Sequence, residues 1–124
     1  MADPCASKNR RLLIRLRCAA SGIRLVHGRE KSFRAQTRLA LAAGVATAML
    51  GAGPAWAALL ALAIGLVLAL EAVNSALEYL IGHLHPALAE EIGRAKDAAA
   101  GAVLIASLAA AGVAAAMVWD LMPP

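Results

Sequence analysis

Thirty-two consecutive residues, Leu39 to Leu70, carry no charged side chain. As one helix that run would extend about 48 Å at 1.5 Å per residue, well beyond a hydrocarbon core of about 30 Å. It therefore reads as two membrane spans, with Gly51-Ala52-Gly53-Pro54 as the turn between them. The first span is expected over about residues 33–50, with Arg34 and Arg38 snorkelling to the interface. The second is expected over about 55–81, with Trp56 at the interfacial level. A second uncharged run, Ala98 to Trp119, is 22 residues long and gives a third span over 98–119.

Composition agrees with that solvent. The chain has 124 residues, 61% of them hydrophobic and 16% charged, and its mean hydropathy is +0.70. A soluble domain of this size buries too small a share of its surface to hide so much apolar area. Alanine dominates and aromatics make up 3%, which favours helices over strands. No alternating ten-residue segments of the kind a membrane β-barrel needs are visible. The expectation is one all-α membrane domain covering residues 1–124, with a basic amphipathic helix ahead of three transmembrane helices.

That surface helix is placed at about residues 9–28, where Leu12, Leu13, Leu16, Ala20, Ile23 and Val26/His27 recur at helical spacing. Ten of the twelve Lys and Arg residues lie within the first 38 positions. Ahead of long apolar runs, such a basic segment marks an anionic membrane surface rather than nucleic acid. The positive-inside rule then places the N-terminus and the polar segment 82–97 in the cytoplasm, and the Gly-Pro turn outside. Residues 82–97 read as a loop that could hold a short helix. Cys5 and Cys18 are isolated and read as reduced thiols. Ala102, Ala106, Ala110 and Ala114, four apart, form a smooth stripe suited to close helix packing, including packing between subunits.

The segment that carries chemistry is Glu71-Ala72-Val73-Asn74-Ser75-Ala76-Leu77-Glu78. On a helix Glu71, Asn74 and Glu78 fall at i, i+3 and i+7 and share one face, flanked by Ser75. Ionisable groups where a helix leaves the hydrocarbon are costly and are kept for function, and a carboxylate placed there is a candidate general base. Arg94-Ala95-Lys96-Asp97 follows, with cations able to hold phosphate oxygens. Glu30 is a rare acid among bases, either an ion-pair partner or a ligand for a divalent cation. The sequence contains neither a Walker A pattern nor the protein-kinase motif set. His83 and His85 lack a third metal ligand and read as ordinary loop histidines.

Taken together, Glu71–Glu78, Gly93-Arg94-Ala95-Lys96-Asp97 and Glu30-Lys31-Ser32-Phe33-Arg34 closely resemble the prokaryotic diacylglycerol kinase family, in order and spacing, over roughly residues 10–118. The resemblance implies a small homotrimer in the bacterial cytoplasmic (inner) membrane, with cytoplasmic active sites between neighbouring subunits. It implies phosphorylation of a membrane lipid alcohol by ATP with Mg²⁺. Glu71 would be the general base. Glu30 and Glu78 would hold the metal that bridges ATP. Asn74, Lys96, Asp97 and Arg11 would contact the nucleotide, and Phe33, Arg34 and Ala100 the lipid. The Glu30–Arg34 segment is similar to the diacylglycerol branch, whereas Ala98-Ala99-Ala100-Gly101 is similar to the polyprenol branch. Diacylglycerol is the expected substrate and undecaprenol the alternative. A non-catalytic scaffold or pore former would have no use for Glu71, Asn74, Glu78, Lys96 and Asp97 together.

Overall fold

The computed structural model describes residues 12–84 and 90–123, and every regular element among them is an α-helix. These are α1 (Leu12–Arg29), α2 (Lys31–Met49), α3 (Pro54–Leu84) and α4 (Glu90–Leu121). α3, with 31 residues, and α4, with 32, are long and apolar enough to cross a membrane. At about 46–48 Å each exceeds a hydrocarbon core of about 30 Å by roughly 17 Å, so a helix of either length that spans the core would project into the headgroup region or beyond. α2 has 19 residues, with Lys31, Arg34 and Arg38 in its first two turns.

The α2–α3 turn forms where the sequence places it, and its chemistry is local. Gly51 has φ +65°, the left-handed conformation that glycine adopts without a Cβ penalty. Its N–H donates to Ala48 O, and the Ala52 N–H donates to Thr47 O. This is the paired Schellman pattern that satisfies the last carbonyls of a helix. Pro54 then opens α3 at the first helical position, where its missing N–H and fixed φ cost nothing. A Cβ at Gly51 would meet no atom within 4 Å, so the penalty of Gly51→Ala is conformational alone. That variant is expected to lose about 1–2 kcal/mol. Gly53→Ala, equally open but with no positive φ, should lose less. Unfolding of the two variants in the same detergent compares them directly.

α3 and α4 form the principal packed pair, with α2 laid against α3. The α3–α4 pair is antiparallel: Trp56 Nε1, at the start of α3, donates to Asp120 Oδ2, at the end of α4, at 2.8 Å. Trp56 thus has a specific partner across the helix pair. α2 also runs antiparallel to α3, because Gln36 and Glu30 meet the late residues Glu71 and Tyr79. At the far end of α2, Thr47 Oγ1 donates to its own-helix carbonyl Ala43 O at 2.7 Å and lies 3.8 Å from Met117 Sδ of α4.

The alanine stripe on α4 faces inward. Ala106 is buried, and Ala110 and Ala114 line a cavity of about 320 Å³ bounded by Ala40 and Ala43 of α2 and Leu60 and Val67 of α3. Leu62, Leu66, Leu104, Ile105 and Leu108 instead point outward and exposed. A helical surface so apolar, with all backbone hydrogen bonds internal, is suited to lipid.

Two expectations need correction. The polar segment 82–97 is mostly not a loop: α3 continues to Leu84, and α4 already begins at Glu90. Glu, Arg, Ala and Lys are strong helix formers, so the charged stretch extends α4 by two turns before the apolar run begins. Cys18 is disulfide-bonded rather than a reduced thiol; Cys5 lies outside the described residues, as do His85 and Arg11.

Candidate active site at the α2–α3 seam

α3 buries one stripe: Leu60, Val67, Glu71 and Ser75. On a 3.6-residue repeat the first three lie within about 40° of one another. The carboxylate of Glu71 therefore continues the apolar seam on which the neighbouring helices pack. Asn74 and Glu78, three and seven residues on, extend the same line and are half-buried. Counted from Trp56, about 30 Å of helix ends near Ser75. A span that begins at Trp56 would place the row Glu71–Asn74–Glu78 at the level where α3 leaves the hydrocarbon.

Glu71 is only 5% exposed, a costly position for an ionisable group unless a partner meets it. The partner is Gln36 of α2, whose Nε2 lies 3.5 Å from Glu71 Oε2. Gln36 faces α3 because it follows the buried Phe33 by one helical turn on the inner side of α2. Ser75 Oγ, 2% exposed, donates to Glu71 O at 2.9 Å. That bond stays within its own helix, so Ser75 contributes packing to the row and presents no free hydroxyl to it.

Glu30 is the single residue between α1 and α2. Its backbone is extended (φ −93°, ψ 119°), and it caps α2 by position but with no side-chain bond. The carboxylate instead crosses to α3, where Tyr79 Oη donates to Glu30 Oε1 at 2.7 Å. Glu30 and Glu78 both lie within electrostatic range of Glu71. Glu71 is thus the carboxylate that feels both of the others, one from the helix link and one from α3. Two buried acceptors in the same region, Asn74 Oδ1 and Gln36 Oε1, have no hydrogen-bond partner among the described residues. An unmet buried acceptor costs about 1–3 kcal/mol, and such atoms concentrate where a site is built for a ligand.

The other expected residues sit elsewhere. Phe33 is buried, edge-on to His27 with ring centroids 6.0 Å apart. Arg34 Nη1 donates to His27 O and Gly28 O, at 3.1 and 3.0 Å. It closes the last turn of α1, a favourable role for a cation at a helix C-terminus. Lys96, Asp97 and Ala100 ride on α4, and Lys96 and Asp97 make no hydrogen bond or ion pair with a described residue. Arg94 pairs with Glu90 one turn away at 2.6 Å, on an exposed surface where such a pair contributes little.

Sequence reading did not single out Gln36 or Tyr79. Gln36 had a local signal, its helical spacing from Phe33. Tyr79 is the one tyrosine of the chain and adjoins Glu78, but its partner lies 49 residues away.

The donor set fits Mg²⁺, a hard cation that takes oxygen ligands and is commonly held by one or two carboxylates together with substrate phosphates. No group of three or more metal-capable side chains is clustered tightly enough among the described residues to bind a metal unaided. A protein site of two carboxylates completed by phosphate oxygens is the arrangement these residues permit.

Comparison with known proteins agrees with the motifs. The prokaryotic diacylglycerol kinase family matches residues 17–118. A protein of Synechocystis sp. (strain ATCC 27184 / PCC 6803 / Kazusa), named diacylglycerol kinase, is 35% identical over 114 residues, which is 91% of this chain. The chain spans 63% of the length of that relative. From residue 17 to residue 118 the match takes in the helix link, the acidic row of α3 and the charged start of α4, and the chain belongs to the prokaryotic diacylglycerol kinase family.

Proposed function

We propose that the chain is an ATP-dependent lipid kinase that converts diacylglycerol to phosphatidic acid at the cytoplasmic face of the membrane. The observation that carries this reading is the buried Glu71, with Glu30 and Glu78 in electrostatic range, at the depth where a lipid hydroxyl would meet water-borne nucleotide. Glu71 takes the proton of the lipid hydroxyl. The freed oxygen bonds to the γ-phosphorus, the bond to the bridging oxygen of ADP breaks, and ADP leaves with that electron pair. Glu30 and Glu78 would hold Mg²⁺, which when bound neutralises charge on the phosphates. Asn74, with its orphaned acceptor, orients the reacting groups. Lys96, Asp97 and Arg11 bind nucleotide, Lys96 and Arg11 by pairing with phosphate.

Lys96 and Asp97 stand on α4 with no hydrogen bond or ion pair to the acidic row, and in this reading they complete the site of a neighbouring subunit in a homotrimer. Arg34 and Ala100 contact lipid at the mouth, and the buried Phe33 supports them from beneath by packing α2 against His27 of α1. α2 serves as the third span, its Arg34 and Arg38 snorkelling. With the basic α1 on the cytoplasmic surface, the Trp56–Asp120 clasp lies on the other side. A second reading, phosphorylation of undecaprenol, is favoured by one feature, Ala98-Ala99-Ala100-Gly101 after the Lys-Asp pair.

The test is transfer of label from γ-labelled ATP by the purified full chain in nanodiscs, offered diacylglycerol and undecaprenol in parallel. Labelled phosphatidic acid is expected. A strong preference for the polyprenol moves the assignment to the second reading, and no transfer to either lipid removes both.

A further inference from the structure

We infer that Tyr79 is a positioning residue that sets the Glu30 carboxylate for a divalent cation. The inference rests on the proposed role of Glu30 as a metal ligand, but its geometry is separate from that role. Glu30 occupies a one-residue link between two helices, with extended backbone and no capping bond from its side chain. A glutamate so placed would be free to rotate, and a rotating ligand loses metal affinity to entropy. One strong bond stops that rotation, the 2.7 Å donation from Tyr79 Oη to Oε1. A hydroxyl donating to an ionised carboxylate is among the stronger kinds of protein hydrogen bond. It consumes one acceptor position of several, leaving Oε2 and the remaining lone pair of Oε1 for a cation.

Tyr79 is suited to this task by its place. It follows Glu78 directly on α3, so the phenol that fixes one carboxylate hangs from the backbone that carries another. The pair ties the α1–α2 link to α3 at the level of the acidic row. Arg29 and Glu78 also lie within electrostatic range of the phenol, so the donor faces both a cation and the second carboxylate. Groups that orient a ligand while not touching the metal commonly change its affinity by about 10- to 100-fold when removed. Phenylalanine keeps the ring and deletes only the donor.

The experiment uses the full chain in nanodiscs. Mn²⁺ binding is followed by electron paramagnetic resonance in the presence of a non-hydrolysable ATP analogue. Tyr79→Phe is expected to raise the Mn²⁺ dissociation constant about tenfold. In turnover it should raise the Mg²⁺ needed for half-maximal rate while leaving kcat at saturating Mg²⁺ near the parent value. In a Glu30→Gln background the same change should add nothing further, as a double-mutant cycle requires of coupled groups. A plain packing role predicts instead a lower unfolding temperature, a uniform loss of rate at all Mg²⁺ concentrations, and additivity with Glu30→Gln; that pattern overturns the inference, as does an unchanged Mn²⁺ affinity.

Should Tyr79→Phe not fold, the parent chain still decides. With one tyrosine in the sequence, ring-labelled tyrosine gives one phenol ζ-carbon resonance. It should shift when Mg²⁺ is added to the parent, and a resonance that does not move overturns the inference. Failure of lipid phosphorylation together with Tyr79-dependent Mn²⁺ binding would sink the proposed function and leave this inference standing. Normal phosphorylation with Tyr79-independent binding would do the reverse.

Discussion

Glu71→Gln is expected to abolish phosphoryl transfer, lowering kcat by about 10²- to 10⁴-fold, the range over which a positioned general base contributes. The substitution suits the question because it changes almost nothing else. Glu71 is 5% exposed on the seam of α3, so a shorter or bulkier residue would disturb packing and confuse loss of chemistry with loss of fold. Glutamine matches the shape of glutamate. It can also still meet Gln36 through amide pairing in place of the 3.5 Å contact. Helix content and unfolding temperature should therefore remain at the parent level, or rise slightly, since a buried charge beside Glu30 and Glu78 is removed. Glu71→Asp keeps the base but withdraws it by one methylene, and should retain a fraction of the rate that glutamine does not. Near-parent turnover by Glu71→Gln, measured on the lipid the parent prefers, would strike Glu71 from the mechanism.

Glu71 was legible in the sequence, and the reason is periodic. Glu71, Asn74 and Glu78 share a face by spacing alone, and a helix of that length and apolarity had to carry them near its exit from the membrane. The α2–α3 turn was legible for a different reason. A positive φ at Gly51 and a proline at the first position of α3 are properties of single residues and need no tertiary context. The charged segment before the third span departs from the loop its polarity suggests, because polarity alone does not distinguish a loop from a solvated helix. For a helix leaving the bilayer, charge is what its surface requires, and Glu90, Glu91, Arg94 and Lys96 are as good in a helix as alanine-rich sequence nearly is.

What could not be read is what depends on pairs far apart in sequence. Gln36 meets Glu71 across 35 residues, Tyr79 meets Glu30 across 49, and Trp56 meets Asp120 across 64. Each bond is set by how the helices lie against one another, which periodicity does not contain. Arg34 illustrates the same limit in reverse. Its motif position pointed to substrate, yet its guanidinium closes α1 through two backbone carbonyls. Those carbonyls belong to the turn just before Glu30, so Arg34 also fixes the direction in which α1 leaves α2. A change at Arg34 would disturb helix geometry as well as the proposed lipid contact.

Glu78→Gln is expected to weaken the dependence on Mg²⁺ rather than the placement of the base. Glu30 and Glu78 each lie within electrostatic range of Glu71, and Arg29, at the end of α1, lies within electrostatic range of Tyr79. Without a divalent cation the acids repel one another, and removing one charge relieves that repulsion. The variant in metal-free buffer should therefore be as stable as the parent or more so. With Mg²⁺ and a non-hydrolysable nucleotide the order should invert. A ligand at 100 times its dissociation constant stabilises the folded state by about 2.7 kcal/mol, and the variant, lacking an ionised ligand, should gain only part of that. In turnover the Mg²⁺ concentration for half-maximal rate should rise about 10- to 100-fold. Glu71 remains in place, so excess Mg²⁺ should recover a substantial part of kcat, which it should fail to do for Glu71→Gln. That contrast separates a ligand from a base within one helix face. A Glu78→Gln enzyme with the parent Mg²⁺ titration and the parent gain in unfolding temperature would remove Glu78 from the metal site and leave Glu30 as its one proposed protein ligand.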